Sequence, residues 1–78
     1  MHIYSFPYET YFDIENEPFF QGRIVINRIP SGYHADIDII TRENQKIYKH
    51  VGHLFEKEAE ECFDLAFFRL QTFLKKGK

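Results

Sequence analysis

The stretch HVGHLFEKEAEECF, residues 50–63, gathers two histidines, four glutamates and the only cysteine of the chain. Imidazole, thiolate and carboxylate are the donors of zinc sites and the groups of acid–base chemistry. The spacing argues against both readings. His50 and His53 stand as H-x-x-H around a glycine, whereas the helical zinc motif needs its two histidines at i and i+4. His50 is expected at the end of a strand and His53 in the loop that follows it. Cys62 falls within an apolar helical arc, where it behaves as a small buried hydrophobe. A structural zinc site shows two close ligand pairs, and a single histidine pair is visible. Four glutamates in this position are what the start of a helix and its solvated face carry. The stretch therefore reads as the opening of a helix, with no metal and no cofactor.

A second group lies on one strand. His34, Asp36 and Asp38 alternate with apolar residues and so share its outward row. If the last strand presents the opposite parity, Tyr48 and His50 join them on the same sheet face. A carboxylate beside an imidazole orients it and tunes its proton affinity, as acid–base sites require. The bland alternative is a solvated sheet face, where these residue types are ordinary. No G-x-S-x-G elbow, phosphate-cradling glycine loop or paired-acid signature accompanies them, so no catalytic role is expected. The face remains the alternative candidate for a small ligand or a metal.

The third feature is apolar. Phe68 falls opposite the centre of the helix's apolar arc, among Lys57, Asp64, Gln71 and Lys75, with Leu65 at i−3 and Thr72 at i+4. A lone exposed Phe is unremarkable. A Phe–Leu pair on the polar face of a short helix is less comfortable in a chain with nothing left to cover it. Burying that Phe in an interface is worth about 1.5–3 kcal/mol. Phe68, Leu65 and Thr72 are therefore the expected contact with a second copy or with another protein.

The bulk properties narrow the classes. Seventy-eight residues make one domain, 1–78, with little room for both a core and an elaborate active site. At 44% hydrophobic and 18% aromatic, the chain is too apolar to be disordered. One cysteine excludes an internal disulfide framework and fits a reducing cytoplasm. The N-terminal MHIYSFPYETYF has neither a basic region nor a long apolar run, so neither a signal peptide nor a membrane span is expected. Tyr4, Phe6, Tyr8, Tyr11, Phe12, Phe19 and Phe20 resemble stacking platforms for single-stranded nucleic acid. That mode also needs a positive groove, and residues 1–22 carry four acids and no Lys or Arg. Nucleic-acid binding is not expected, and core filling or an interface accounts for the rings.

The elements that would position these residues follow from period. YETYFDI (8–14) alternates as a strand after a break at Pro7, with Ile3–Phe6 as an extended lead-in; ENEP (15–18) is a turn. FFQGRIVINRI (19–29) is a long β-branched strand with a bend or bulge expected at Gly22. PSG turns the chain into YHADIDII (33–40), and TRENQ leads into KIYKHV (46–51), a short strand ending at Gly52. Hairpin-length loops favour an antiparallel meander. From about Glu56 the period becomes 3.6, placing Phe55, Ala59, Cys62, Phe63, Ala66, Leu70, Phe73 and Leu74 on one arc. That helix, about 56–75, lacks a good N-cap and stops at Gly77. The expected fold is α+β: a four-stranded antiparallel β-meander with one C-terminal helix packed on one face.

The segment from Gly32, GYHADIDI followed by KIYKHVGHLFEKEAEECFDLAFFRLQTFL, has two strands running into a Gly, then an aromatic, then an E-A pair that opens a helix. Through Gly52, Phe55, Glu58, Ala59, Ala66 and Leu70 it resembles the N-terminal domains of HicB-type antitoxins and other small bacterial domains with a partial double-stranded-RNA-binding-like fold. The resemblance implies the same meander-plus-helix topology and a bacterial or phage-derived protein that masks a larger partner. The sequence thus points to a small non-enzymatic protein–protein interaction domain, with a ligand- or metal-binding sheet face as the alternative.

Overall fold

The computed structural model describes residues 5–76. The lead-in at Ile3–Tyr4 and the stop at Gly77 lie outside the described residues. Four strands, β1 (Tyr8–Asp13), β2 (Phe20–Ile29), β3 (Gly32–Thr41) and β4 (Ile47–Glu56), form one antiparallel sheet in the order β1-β2-β3-β4, and the helix α1 (Ala59–Lys76) packs on it. This is the α+β meander with a covering helix that the alternation and the change of period predict.

Pattern decides which face the helix covers. Ile24 and Ile26 of β2 and Ala35, Ile37 and Ile39 of β3 alternate along their strands and meet Cys62, Phe63, Ala66 and Leu70 in the core. The β-branched residues suit the pleat, and Ala66 keeps the helix close to it. Under β1, Phe12 lies against the Phe63 and Phe67 rings at centroid distances of 6.2 and 5.0 Å, and Tyr8 meets Phe63 edge-on. Large rings thus fill the corner where a short edge strand leaves the helix. Cys62 is fully buried, and burial, with Glu56 adding to it, pushes its thiol up to about 11. It is a core atom, as its place in the arc implies.

The turns have local causes. Ile29 pairs with Gly32, so Pro30 and Ser31 form a two-residue hairpin loop. Gly32 sits at φ +148, where a Cβ would lie 2.5 Å from the Glu56 carbonyl oxygen; only glycine suits that position. Between β3 and β4, Thr41 N donates to Lys46 O at 2.8 Å and Gln45 N to Thr41 O at 2.8 Å. Arg42 in this loop reaches Asp13 at the end of β1 at 3.0 Å and also donates to Pro18 O. Its guanidinium holds the Asp13 carboxyl below the usual range. The brace is therefore present at neutral pH and is lost as the pH falls through that lowered value.

Three sequence expectations give way. Gly22 is not a bulge, since the β1–β2 and β2–β3 registers run through it unbroken. It marks a close approach: a Cβ there would stand 2.8 Å from Leu70 Cδ2. β4 does not end at Gly52 but continues to Glu56, pairing Leu54 with Ala35, Phe55 with His34 and Glu56 with Tyr33. Consequently α1 begins at Ala59 rather than near Glu56, with the Glu58 carbonyl accepting its first hydrogen bond from Cys62 N at 2.9 Å. Phe55 had the spacing of a helical arc, but the ladder with β3 claims its backbone.

Candidate functional site

β4 is built irregularly, and that irregularity assembles the polar face. Its register slips between Ile37 and Asp38, where Gly52 and then His50 are the partners and Val51 is the extra residue. In a regular strand His50 and His53, three apart, would point to opposite sides. The inserted residue restores parity and brings both to the face away from the helix. His53 is therefore in the strand, not in a connecting loop.

On that face Asp38 is the anchor. It is only 3% exposed. Arg23 of β2, its direct cross-strand partner, approaches Asp38 Oδ2 at 3.5 Å, and His50 Nδ1 donates to Oδ1 at 2.7 Å. Carboxylate, guanidinium and imidazole thus pair across three strands, with Arg23 Nε itself buried and without a hydrogen-bond partner among the described residues. The histidines continue the row. The His50 and His53 ring centroids lie 6.3 Å apart with their planes inclined by 30°, and His53 Nδ1 faces His34 Nε2 at 3.4 Å. Asp36 Oδ1 stands 3.8 Å from His34 Nε2. Phe55 closes the end, 4.7 Å from the His34 ring and 5.8 Å edge-on to His53.

The structure brings together His34, Asp36, Asp38 and His50 from the expected set. Tyr48 goes elsewhere: it is the extra residue of a second register slip, and its ring packs tilted against Phe20 with centroids 4.5 Å apart. Arg23, which the sequence does not single out, belongs to the face, as do His53, expected in a loop, and Phe55, expected on the helical arc. Arg23 had no visible partner without the register. His53 and Phe55 depended on a bulge that the run KHVGH does not announce.

Chemically, the Asp38–His50 pair orients an imidazole. Cys62 lies in the core on the other side of the sheet. Among the described residues no group of three or more His, Cys, Asp or Glu forms a ready metal site.

The helix presents the other candidate. Phe68 is 67% exposed and Leu65 42%, while Thr72 is half-buried. These three share the outward side of α1. Glu61 and Lys75 are exposed too, and each lies seven residues from Phe68, Glu61 towards the N-terminus and Lys75 towards the C-terminus. Seven residues are nearly two turns, so both sit within about 20° of Phe68 around the axis and about 10.5 Å along it. The outer face thus runs from acid, through an apolar centre, to base.

No family model, curated protein or solved structure matches the chain. Among the described residues no helix is long and apolar enough to cross a membrane.

Proposed function

We propose that this chain is a non-enzymatic association domain that pairs with a second copy of itself through the outer face of α1. One observation carries the reading: an exposed Phe68, beside Leu65, at the centre of a helix face whose charges are self-complementary. A two-fold interface places the same patch on both partners. With the helices antiparallel and crossing at Phe68, Glu61 of each copy meets Lys75 of the other. Asp64 lies opposite Thr72, and Leu65 packs beside the two central rings. Acidic first turns and basic last turns thereby attract twice.

The sheet edges favour this route over strand addition. β1 is six residues long, follows Pro7 and carries Glu9 and Asp13. β4 carries two register slips and is flanked or interrupted by Lys46, Lys49 and Lys57. Short, charged and bulged edges resist pairing. A reducing cytoplasmic setting suits the lone buried thiol.

Size-exclusion chromatography with light scattering over a concentration series tests the reading. The natural chain is expected to pass from monomer to dimer as concentration rises, and Phe68→Asp to remain monomeric with an unchanged circular dichroism spectrum. Two Phe side chains leave the interface, each worth about 1.5–3 kcal/mol, so association weakens by more than about a hundredfold. A natural chain that stays monomeric to millimolar concentration contradicts the proposal.

A further inference from the structure

Between Lys49 and Lys57, β4 carries no lysine or arginine of its own; the stretch is HVGHLFE, residues 50–56. β4 pairs with β3 and stands last in the order of the described strands. We propose that Arg69 of α1 guards this edge: its guanidinium, seated on the His53 carbonyl, keeps residues 50–56 from pairing with the same stretch of a second copy. Arg69 Nη1 donates to His53 O at 3.1 Å. Its side chain crosses the strand at Gly52, where Cδ and Nη1 would both stand 3.7 Å from a Cβ. The helix thus supplies the basic charge that the middle of the strand lacks, and charge is one of the devices that keep sheet edges apart.

The stretch itself suits a second copy. Laid antiparallel about a two-fold axis at His53, it sets His50 opposite Glu56 at both ends, Val51 opposite Phe55 and Gly52 opposite Leu54. No carboxylate faces a carboxylate, and aromatic–β-branched pairs such as Val–Phe stabilise strand pairing. Phe55, exposed in the single chain, would gain cover. Lys49 and Lys57 would meet just beyond each end and limit the pairing to these seven residues.

The same axis would bring the two Arg69 side chains together. Each is anchored at its own His53, the residue at the centre of the pairing, so the two guanidiniums would face each other there. Like charges set directly opposite disfavour a strand pair. The lysines at the ends can swing away on free stems, whereas Arg69 is held in place by its hydrogen bond.

Light scattering on full chains that carry Phe68→Asp tests the guard apart from association through α1, whether or not that association occurs. With Arg69 in place this chain is expected to stay monomeric. With Arg69→Ala it is expected to dimerise at least about tenfold more tightly, the change that removal of one close like-charge pair brings. Arg69→Lys keeps the charge and is expected to stay monomeric. Arg69 is exposed, and Arg69→Gln, which keeps part of the stem and favours helix, repeats the test should the alanine variant fail to fold. Hydrogen exchange locates the contact: the amides of residues 50–56 are expected to gain protection in the dimer. Variants with Arg69→Ala and Arg69→Gln that remain monomeric to millimolar concentration overturn the proposal. So does a dimer in which those amides exchange unchanged, or equal association by Arg69→Lys.

Discussion

Leu70→Ala is expected to lower folding stability by about 2–5 kcal/mol, the range for emptying a buried leucine site. Leu70 is 1% exposed and sits in the centre of the core, where α1 crosses β2. What distinguishes it from any other core leucine is its neighbour. Gly22 leaves room for its methyl groups, and a Cβ at that position would stand 2.8 Å from Leu70 Cδ2. Gly22→Ala is accordingly destabilising in the natural chain and better tolerated once Leu70 has been shortened. The two substitutions share one cavity and should be non-additive by about 0.5–3 kcal/mol. Urea unfolding of both single variants and the double variant, followed by circular dichroism, measures this coupling. Strict additivity contradicts the packing described.

Asp38→Ala is the second large effect, expected at about 1–3 kcal/mol. Removal of the buried carboxylate leaves the Arg23 guanidinium and the His50 imidazole facing a site that no longer answers them. Arg23 Nε is already buried without a hydrogen-bond partner among the described residues. The figure stays below the range for a fully buried pair because His50 is half exposed and Arg23 partly so. Asp36→Ala, two residues along on the same face but far more exposed, is expected to change stability by less than about 0.5 kcal/mol. Comparison of the two variants by urea unfolding tests the network directly. Equal costs contradict the anchoring role of Asp38.

Much of the fold could be read from period alone. Alternation in YHADIDII places Ala35, Ile37 and Ile39 inward and His34, Asp36 and Asp38 outward. The 3.6 spacing of Cys62, Phe63, Ala66 and Leu70 gives the buried side of α1. What periodicity cannot register is an inserted residue. Val51 shifts β4 by one position, which moves His53 onto the outer face and extends the strand through Phe55. Phe55 satisfied the helical spacing equally well, and pairing with β3 settled its fate. Tyr48 met the same obstacle at the second slip. Gly22 shows another limit, since a glycine in a strand marks either a bulge or a close approach, and the partner across the core determines which. Arg23 is invisible for a related reason: its role depends on the register that sets it opposite Asp38.

The helix face needs no such register, because Glu61, Leu65, Phe68, Thr72 and Lys75 lie on one element. Its self-complementary charge also supplies the most direct test of the association reading. In a homodimer, Glu61→Lys sets two positive charges against each other at both ends of the interface, and Lys75→Glu sets two negative ones. Each variant alone is therefore expected to dimerise about tenfold more weakly at low salt, since two exposed pairs change sign at about 0.2–1 kcal/mol each. Mixing the two variants restores both attractions. At one end the two substituted positions meet with their signs exchanged, and at the other the unaltered Glu61 meets the unaltered Lys75. The decisive measurement is light scattering, with native mass spectrometry, on an equimolar mixture of Glu61→Lys and Lys75→Glu. The antiparallel α1 interface predicts recovery of a one-to-one heterodimer at concentrations where each variant alone is monomeric. A mixture that associates no better than its components contradicts it.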